Sequence, residues 1–214
     1  ALSELRRAQE LNDKVLETSA LALSGMAIRQ KNPDVIEQLE RDLEQRLSEE
    51  EKNGEDGQEP DHRPFIERLM AVVRADYQRL VDPVGAGPAE AEALRLVPVG
   101  HPRRLALGLF VATAALDQDD PESAIKALTL LHSRDCVFTT PRVIVDWLMM
   151  QAAERAENPG LAEKCRAALS TFDLKREAAK VATENLDDED DPYTRWLLKA
   201  RKGLEGGEGE IREE

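Results

Sequence analysis

Aromatic residues are scarce in this sequence: Phe, Trp and Tyr together make up 4% of its 214 residues. Sandwiches and barrels of β-strands need many aromatic and β-branched side chains, which fit a pleated, half-buried surface. Alanine, leucine and glutamate dominate instead, and all three favour helices. The composition therefore excludes an all-β fold and predicts an all-α one.

Cysteine and long apolar runs are nearly absent as well. The two cysteines, Cys136 and Cys165, are too few for a disulfide framework, so we expect reduced thiols in the cytoplasm. The longest apolar run, Leu105–Leu116, is too short to cross a bilayer, so we expect no membrane segment. No basic and apolar leader follows Ala1, so no signal peptide is expected, and a leader removed before Ala1 stays open.

The sequence also lacks the signatures of common active sites. It contains no Gly-x-x-x-x-Gly-Lys-Ser/Thr, no Gly-x-Gly-x-x-Gly and no Gly-x-Ser-x-Gly. His132 and Cys136 are spaced as two metal ligands would be, but two further ligands are missing, so we interpret His132 as a charged side chain near a helix end. Either thiol would need a positioned base to act as a nucleophile. We therefore predict no catalytic residue, no cofactor and no metal.

Two groups of acidic residues have the wrong spacing for metal sites. The run Asp187–Asp191 would need glycine at the sixth position of a calcium loop, where Pro192 stands, so we predict a solvated loop and a helix cap. Glu37, Glu40 and Glu44 share one helix face, but the Glu-x-x-His partners of a dimetal centre are missing. We predict that this face is solvated.

Basic residues are outnumbered, and the net charge of −14 is concentrated at the two ends of the chain. Residues 1–60 hold 15 acidic and 8 basic side chains, a net −7, and residues 187–214 hold 10 and 5, a net −5. The 126 residues between them hold 18 and 16, a net −2. Such ends repel a phosphate backbone, so nucleic acid is not expected as a partner.

Proline marks where helices begin, because its missing N–H is not needed in the first helical turn and a preceding Asn, Asp or Thr caps the helix. Five such pairs occur, at Asn32-Pro33, Asp120-Pro121, Thr140-Pro141, Asn158-Pro159 and Asp191-Pro192. Apolar periodicity between them predicts helices at 2–30, 33–52, 89–96, 102–117, 121–133, 141–157, 159–171, 174–186 and 192–203. A further helix is predicted to start at Arg63-Pro64, with apolar residues from Phe65 to Leu80 on one side.

These helices predict an N-terminal helical hairpin followed by a short α-solenoid of about three helix pairs. The predicted parts are an N-terminal arm at 1–53, an acidic linker at 54–63, a connecting helix and Pro/Gly-rich loop at 64–100, a hairpin-repeat domain at 101–204 and a flexible acidic tail at 205–214. In the first helix, Ala8, Leu11, Val15, Ala22 and Met26 are spaced like a coiled-coil seam. The arm is therefore a candidate for homo-oligomerisation.

The hairpins of residues 101–204 resemble the tetratricopeptide repeat. Ala112 and Ala124 match the small residues that this family places on the two helices of a repeat, and Leu128 matches a large apolar position. The second hairpin keeps Ala162 but has Met150 and Arg166 at other signature positions. The resemblance implies stacked hairpins whose first helices line a groove for a protein partner. The residues that would line it are Thr113, Asp117, Gln151, Arg155, Lys180 and Glu184.

The hairpin spacing and the lack of catalytic groups favour a non-enzymatic adaptor or scaffold that binds protein partners through a helical-repeat surface. Two alternatives stay open: a self-assembling subunit of a viral, packaging or secretion apparatus, and an all-helical enzyme whose site is assembled from distant residues. Trp147 is expected in the core. Trp196, in the last predicted helix, is a candidate docking edge because a terminal repeat has no neighbour to cover it.

Overall fold

The fold is all-α, as predicted, in a computed structural model that describes residues 2–53, 62–131, 135–136, 139–173 and 202. Within these residues there are eight helices and no strand. The helices are α1 (Leu2–Arg29), α2 (Pro33–Asn53), α3 (Arg63–Val81), α4 (Gly87–Leu96), α5 (Arg104–Asp117), α6 (Pro121–Thr129), α7 (Thr139–Arg155) and α8 (Pro159–Leu169).

Most helix boundaries lie within two residues of those predicted from the sequence. The largest difference is at the end of α6, which stops at Thr129 rather than at residue 133. The predicted helices at 174–186 and 192–203 lie outside the described residues, apart from Lys202, as do the acidic loop 187–191, Trp196 and the predicted tail. The described part therefore contains two of the three predicted C-terminal helix pairs.

Three helix-to-helix turns share one backbone geometry. In each, a residue with positive φ is followed by Asn or Asp and then by proline; the positive-φ residues are Lys31 (51°), Asp119 (58°) and Glu157 (52°). The next residue donates its N–H to a carbonyl five residues back at 2.9 Å, in the pairs Asn32–Ala27, Asp120–Ala115 and Asn158–Ala153. This is a Schellman-type helix end, which satisfies carbonyls that the helix itself leaves unpaired.

The same residue that closes one helix also begins the next. The side chain of Asp120 accepts a hydrogen bond from the N–H of Ser123 at 3.1 Å, and that of Asn158 accepts one from Leu161 at 3.2 Å. Proline then occupies the first helical turn in both cases. Because both signals are local, this short segment of sequence is enough to specify a helical hairpin.

The chain divides into two compact units, Ala1–Leu96 and Val97–Glu214. In the first unit, α1, α2 and α4 all pack on α3. The buried core of its first three helices includes Ile36 and Leu43 of α2 and Leu69 and Val73 of α3. The predicted arm at 1–53 thus shares a core with the helix that follows the predicted linker.

The described part of the second unit contains the hairpin α5–α6 and the hairpin α7–α8, with α6 packed against α7. Ala112 and Ala124, the two small residues of the first hairpin, are both fully buried, and Ala162 of the second is 2% exposed. Small side chains let the two helices of a pair approach closely. Trp147 is 8% exposed and lies in the core, as expected.

Two helical glycines of the second unit should respond differently to alanine. A Cβ on Gly108 of α5 would lie 2.6 Å from Cδ2 and 2.9 Å from Cγ of Leu131, whereas a Cβ on Gly160 of α8 would meet nothing within 4 Å. Gly108→Ala should lower the free energy of unfolding by about 1 kcal/mol, because the whole Leu131 side chain must move. Gly160→Ala should raise it by about 0.5 kcal/mol through helix propensity.

Urea denaturation of both variants measures these changes. The control is the double variant Gly108→Ala/Leu131→Ala. Its loss in the free energy of unfolding should be smaller than the sum of the losses in the two single variants. Equal stability of the two glycine variants would contradict the close packing of α5 against the segment after α6.

Candidate functional site

Four of the six residues predicted to line a groove lie within the described residues. Thr113 is 1% exposed, and its hydroxyl donates to the carbonyl of Phe110 at 2.9 Å, so it cannot offer a surface to a partner. This corrects its assignment: Thr113 is a buried residue of α5. Asp117 is exposed and Gln151 is half-buried. Lys180 and Glu184 lie outside the described residues.

Arg155 connects the first helices of the two hairpins. Its Nη1 donates to the carbonyl of Leu116 at 2.9 Å, near the end of α5. The last carbonyls of a helix have no partner within it, so this contact satisfies one of them. The contact also places Arg155 at the C-terminal end of α5, whose last residue is Asp117.

The two cysteines are in surroundings that suppress thiol reactivity. Burial raises the pKa of Cys136 and of Cys165, and the carboxylate of Asp146 raises both further. Since the thiolate is the nucleophile and the metal ligand, both side chains should be protonated at neutral pH. Among the described residues no group of three His, Cys, Asp or Glu side chains could hold a metal ion. His132 lies outside that part of the chain.

Asp146 of α7 is a partly buried acid whose side chain is 24% exposed. Among the described residues its buried Oδ2 has no hydrogen-bond partner, and Nε of Arg142 lies 3.9 Å from it. Burial raises the pKa of this carboxyl above its usual range. The residues that line the two clefts described below do not include Asp146, and the effect we expect of this carboxyl is on stability.

Asp146→Asn should raise the free energy of unfolding at neutral pH, by up to about 1 kcal/mol. The pKa of the Asp146 carboxyl is higher in the folded state than in the unfolded state, where it is about 3.9. The contribution of this carboxyl to the free energy of unfolding is therefore complete below about pH 3.9. It is lost as the pH rises through the folded-state pKa. Asparagine stays neutral, so the variant should show no such loss. Unfolding free energies measured across acidic and neutral pH test this.

Asp120 is the matched control, because its pKa shift has the opposite sign. The hydrogen bond with Ser123 lowers its pKa, so its contribution is present above the unfolded pKa and is lost as the pH falls through the folded one. Asp120→Asn should therefore change the acid side of the stability profile. A stability difference between Asp146→Asn and the parent that did not vary with pH would contradict the assignment.

The acidic face of α2 pairs with α3, where the sequence predicted a solvated face. The guanidinium of Arg74 binds Glu40 and Glu44, the latter at 3.0 Å, and the hydroxyl of Tyr77 donates to Glu37 at 2.7 Å. The hydrogen bond with Glu40 is the main cause of the raised pKa of Arg74, and that with Glu37 is the main cause of the raised pKa of Tyr77. These acids therefore hold the two helices in register.

A cleft of about 550 Å³ opens over α3, between α2 and α4. Its apolar lining comes from all three helices: Leu47, Met70, Ala71, Ala89 and Leu96. Its charged lining consists of three glutamates and one arginine: Glu44, Glu67, Glu92 and Arg74. We call this the α3 cleft. Sequence reasoning missed it, because no single helix carries a signal of it.

A second cleft of the first unit, of about 560 Å³, is mostly polar. Asp13 and His62 meet at its edge, with Oδ2 and Nδ1 separated by 3.2 Å. The outer face of α1 is also open: Val15, Leu23 and Met26 are 60%, 40% and 43% exposed. Val15 and Met26 belong to the seam that the sequence predicted.

The class that these features define is an all-helical protein of antiparallel helix pairs. No protein-family model matches the chain, and neither the curated proteins nor the solved structures contain a significant match. In the described ranges no helix has both the length and the apolar character that crossing a membrane requires.

Proposed function

We propose that this protein is a non-enzymatic scaffold that binds protein partners through tetratricopeptide-like helical hairpins. The observation that carries the proposal is the pair of hairpins α5–α6 and α7–α8, which share one turn geometry and pack in series. Stacked hairpins build an extended surface from equivalent helices, and this architecture serves protein binding. The suppressed thiols agree with a cytoplasmic setting, where cysteines remain reduced.

The partner surface that we propose includes Asp117 and Gln151, together with the exposed part of Arg155. Asp117 and Gln151 lie on the first helices of successive hairpins, and the contact of Arg155 with α5 keeps those helices together. Thr113 is excluded from this surface because it is buried. The surface is polar, so it should give specificity through hydrogen bonds and charge.

The test is direct binding by a purified partner. Proteins captured by the full chain from its own cell extract are produced separately and titrated against the parent and against Asp117→Lys/Gln151→Glu. The double variant should weaken binding at least tenfold. Lys126→Glu/Glu163→Lys, on the second helices, is the control and should bind like the parent. A partner that binds both variants equally would rule out this surface.

Self-assembly through α1 is a second candidate function, favoured by one observation. Val15, Leu23 and Met26 expose apolar surface along the outer face of this helix, and exposed apolar patches often mark interfaces. Light scattering behind size exclusion should show an oligomer for the parent and a monomer for Val15→Glu/Met26→Glu. A truncation at His62 is unsuitable, because removing α1 and α2 would expose Leu69 and Val73. A monomeric parent at high concentration would exclude this candidate.

A further inference from the structure

The α3 cleft is a groove between three helices in which one further helix could lie. The residues that α3 contributes are Glu67, Met70, Ala71 and Arg74, which are spaced i, i+3, i+4 and i+7 and so form one face of the helix. Helices α2 and α4 both pack on α3, to either side of this face. Another helix laid along the cleft would touch all three, as in a small helical bundle.

The cleft offers apolar anchoring as well as space. Met70 and Ala71 are buried, Leu47 is half-buried and Leu96 is 42% exposed. Ala89 and Leu96 lie seven residues apart on α4, which is about 10 Å along a helix axis and so matches two turns of a bound helix. Apolar side chains spaced by three and four residues on a partner helix would fit such a surface.

The charges around the cleft favour an occupant with positively charged side chains. Arg74 is already paired with Glu40 and Glu44. Glu67 and Glu92 are exposed, and neither forms a hydrogen bond or ion pair in the part of the chain that the structure describes. The cleft therefore presents two uncompensated carboxylates above an apolar floor. Lysine or arginine beside the apolar stripe of a bound helix would neutralise them.

We propose that the α3 cleft is a docking site for a basic amphipathic helix of a partner protein. A second copy of this chain is a poor occupant of this cleft, since its 43 acidic residues outnumber its 29 basic ones and it would bring more negative than positive charge to the two carboxylates. The inference rests on the proposed protein-binding role, but it assigns a different surface, on the other unit, and states the chemistry of the partner.

The probes are two synthetic peptides with the same leucine stripe, each about 18 residues long so that it spans the cleft as a helix. One carries lysine at every flanking position, and the other carries glutamate. Each is labelled and titrated with the full chain by fluorescence anisotropy. The lysine peptide should bind at least tenfold more tightly, and raising the salt should reduce this preference.

Three variants locate the binding. Glu67→Lys/Glu92→Lys should weaken the lysine peptide about tenfold and strengthen the glutamate peptide. Glu122→Lys/Glu163→Lys makes the same change in net charge on the other unit and should alter either affinity by less than about twofold. Leu96→Ser, at an exposed position, should weaken both peptides about fivefold through lost apolar contact.

Zero-length cross-linking of peptide lysines to protein carboxylates locates the bound peptide independently. The cross-linked residues are identified by mass spectrometry. The expected products join the peptide to Glu67 and Glu92. The docking site would be overturned if the two peptides bound with equal affinity or if neither bound measurably. It would also be overturned if the two double variants responded equally, or if the cross-links were spread over the acidic chain. Binding that instead depends on Asp117 and Gln151 would overturn the α3 cleft and leave the proposed function standing.

Discussion

Replacing Arg104 by methionine should destabilise the second unit by about 3–5 kcal/mol, because it leaves the buried carboxylate of Asp135 without its cation. Arg104 is 8% exposed at the start of α5. Its guanidinium donates to the carbonyl of Val97 and, at 2.9 Å, to that of Leu130. Its Nε lies 3.3 Å from Oδ2 of Asp135, a carboxylate with no exposed side-chain surface. The side chain thus ties the start of α5 to Val97 before it and to the segment that follows α6.

The measurement is chemical denaturation followed by tryptophan fluorescence, to which Trp147 in the core of the same unit contributes. Lys126→Met is the control for loss of a cation, since its side chain is 76% exposed and should change stability by less than about 1 kcal/mol. Arg104→Met/Asp135→Asn should recover much of the loss, because it removes the stranded charge. A loss below about 1 kcal/mol for Arg104→Met would contradict the importance of this ion pair.

Replacing Leu43 by alanine should destabilise the first unit by about 2–5 kcal/mol. Leu43 is 1% exposed and belongs to the same core as Leu69 and Val73 of α3. The cavity should loosen α3 as well as α2, because the two helices share that core. Leu23→Ala is the control: this leucine is 40% exposed on α1, so its loss should cost less than about 1 kcal/mol.

Hydrogen exchange provides the readout that distinguishes a shared core from an independent arm. In Leu43→Ala, the amides of Leu69–Val73 should exchange faster by a factor similar to those of α2, since both helices open together. Faster exchange confined to α1 and α2 would mean that residues 1–53 open as a separate element, which the packing of α2 on α3 contradicts.

Helix positions were predictable because their signals are local. Asn158-Pro159 and Asp120-Pro121 cap the helices that follow them, and the apolar period within each helix needs no knowledge of distant residues. The positive φ at Lys31, Asp119 and Glu157 was not predicted, since none of them is a glycine. In each case the residue that follows fixes this geometry through its hydrogen bond to the helix end.

The candidate sites were far less predictable from sequence. Thr113 was placed on a groove by its register in a repeat, but the register does not say which face the partner helix covers. Glu37, Glu40 and Glu44 were expected in solvent because their helix face is polar, and the structure pairs them with Arg74 and Tyr77. A polar face is compatible with either environment, and only the position of α3 decides between them.

The sequence by itself determined the all-α class, the starts of the helices and the hairpin turns, because capping, proline geometry and helical periodicity act over a few residues. The tertiary structure alone decided which amphipathic faces cover one another and which remain open. An apolar stripe can pack against any neighbour of suitable shape, so the sequence of α3 does not show that its face between Glu67 and Arg74 forms the floor of a cleft between α2 and α4. That arrangement depends on contacts between residues far apart in the chain, such as those of Leu43 with the α3 core.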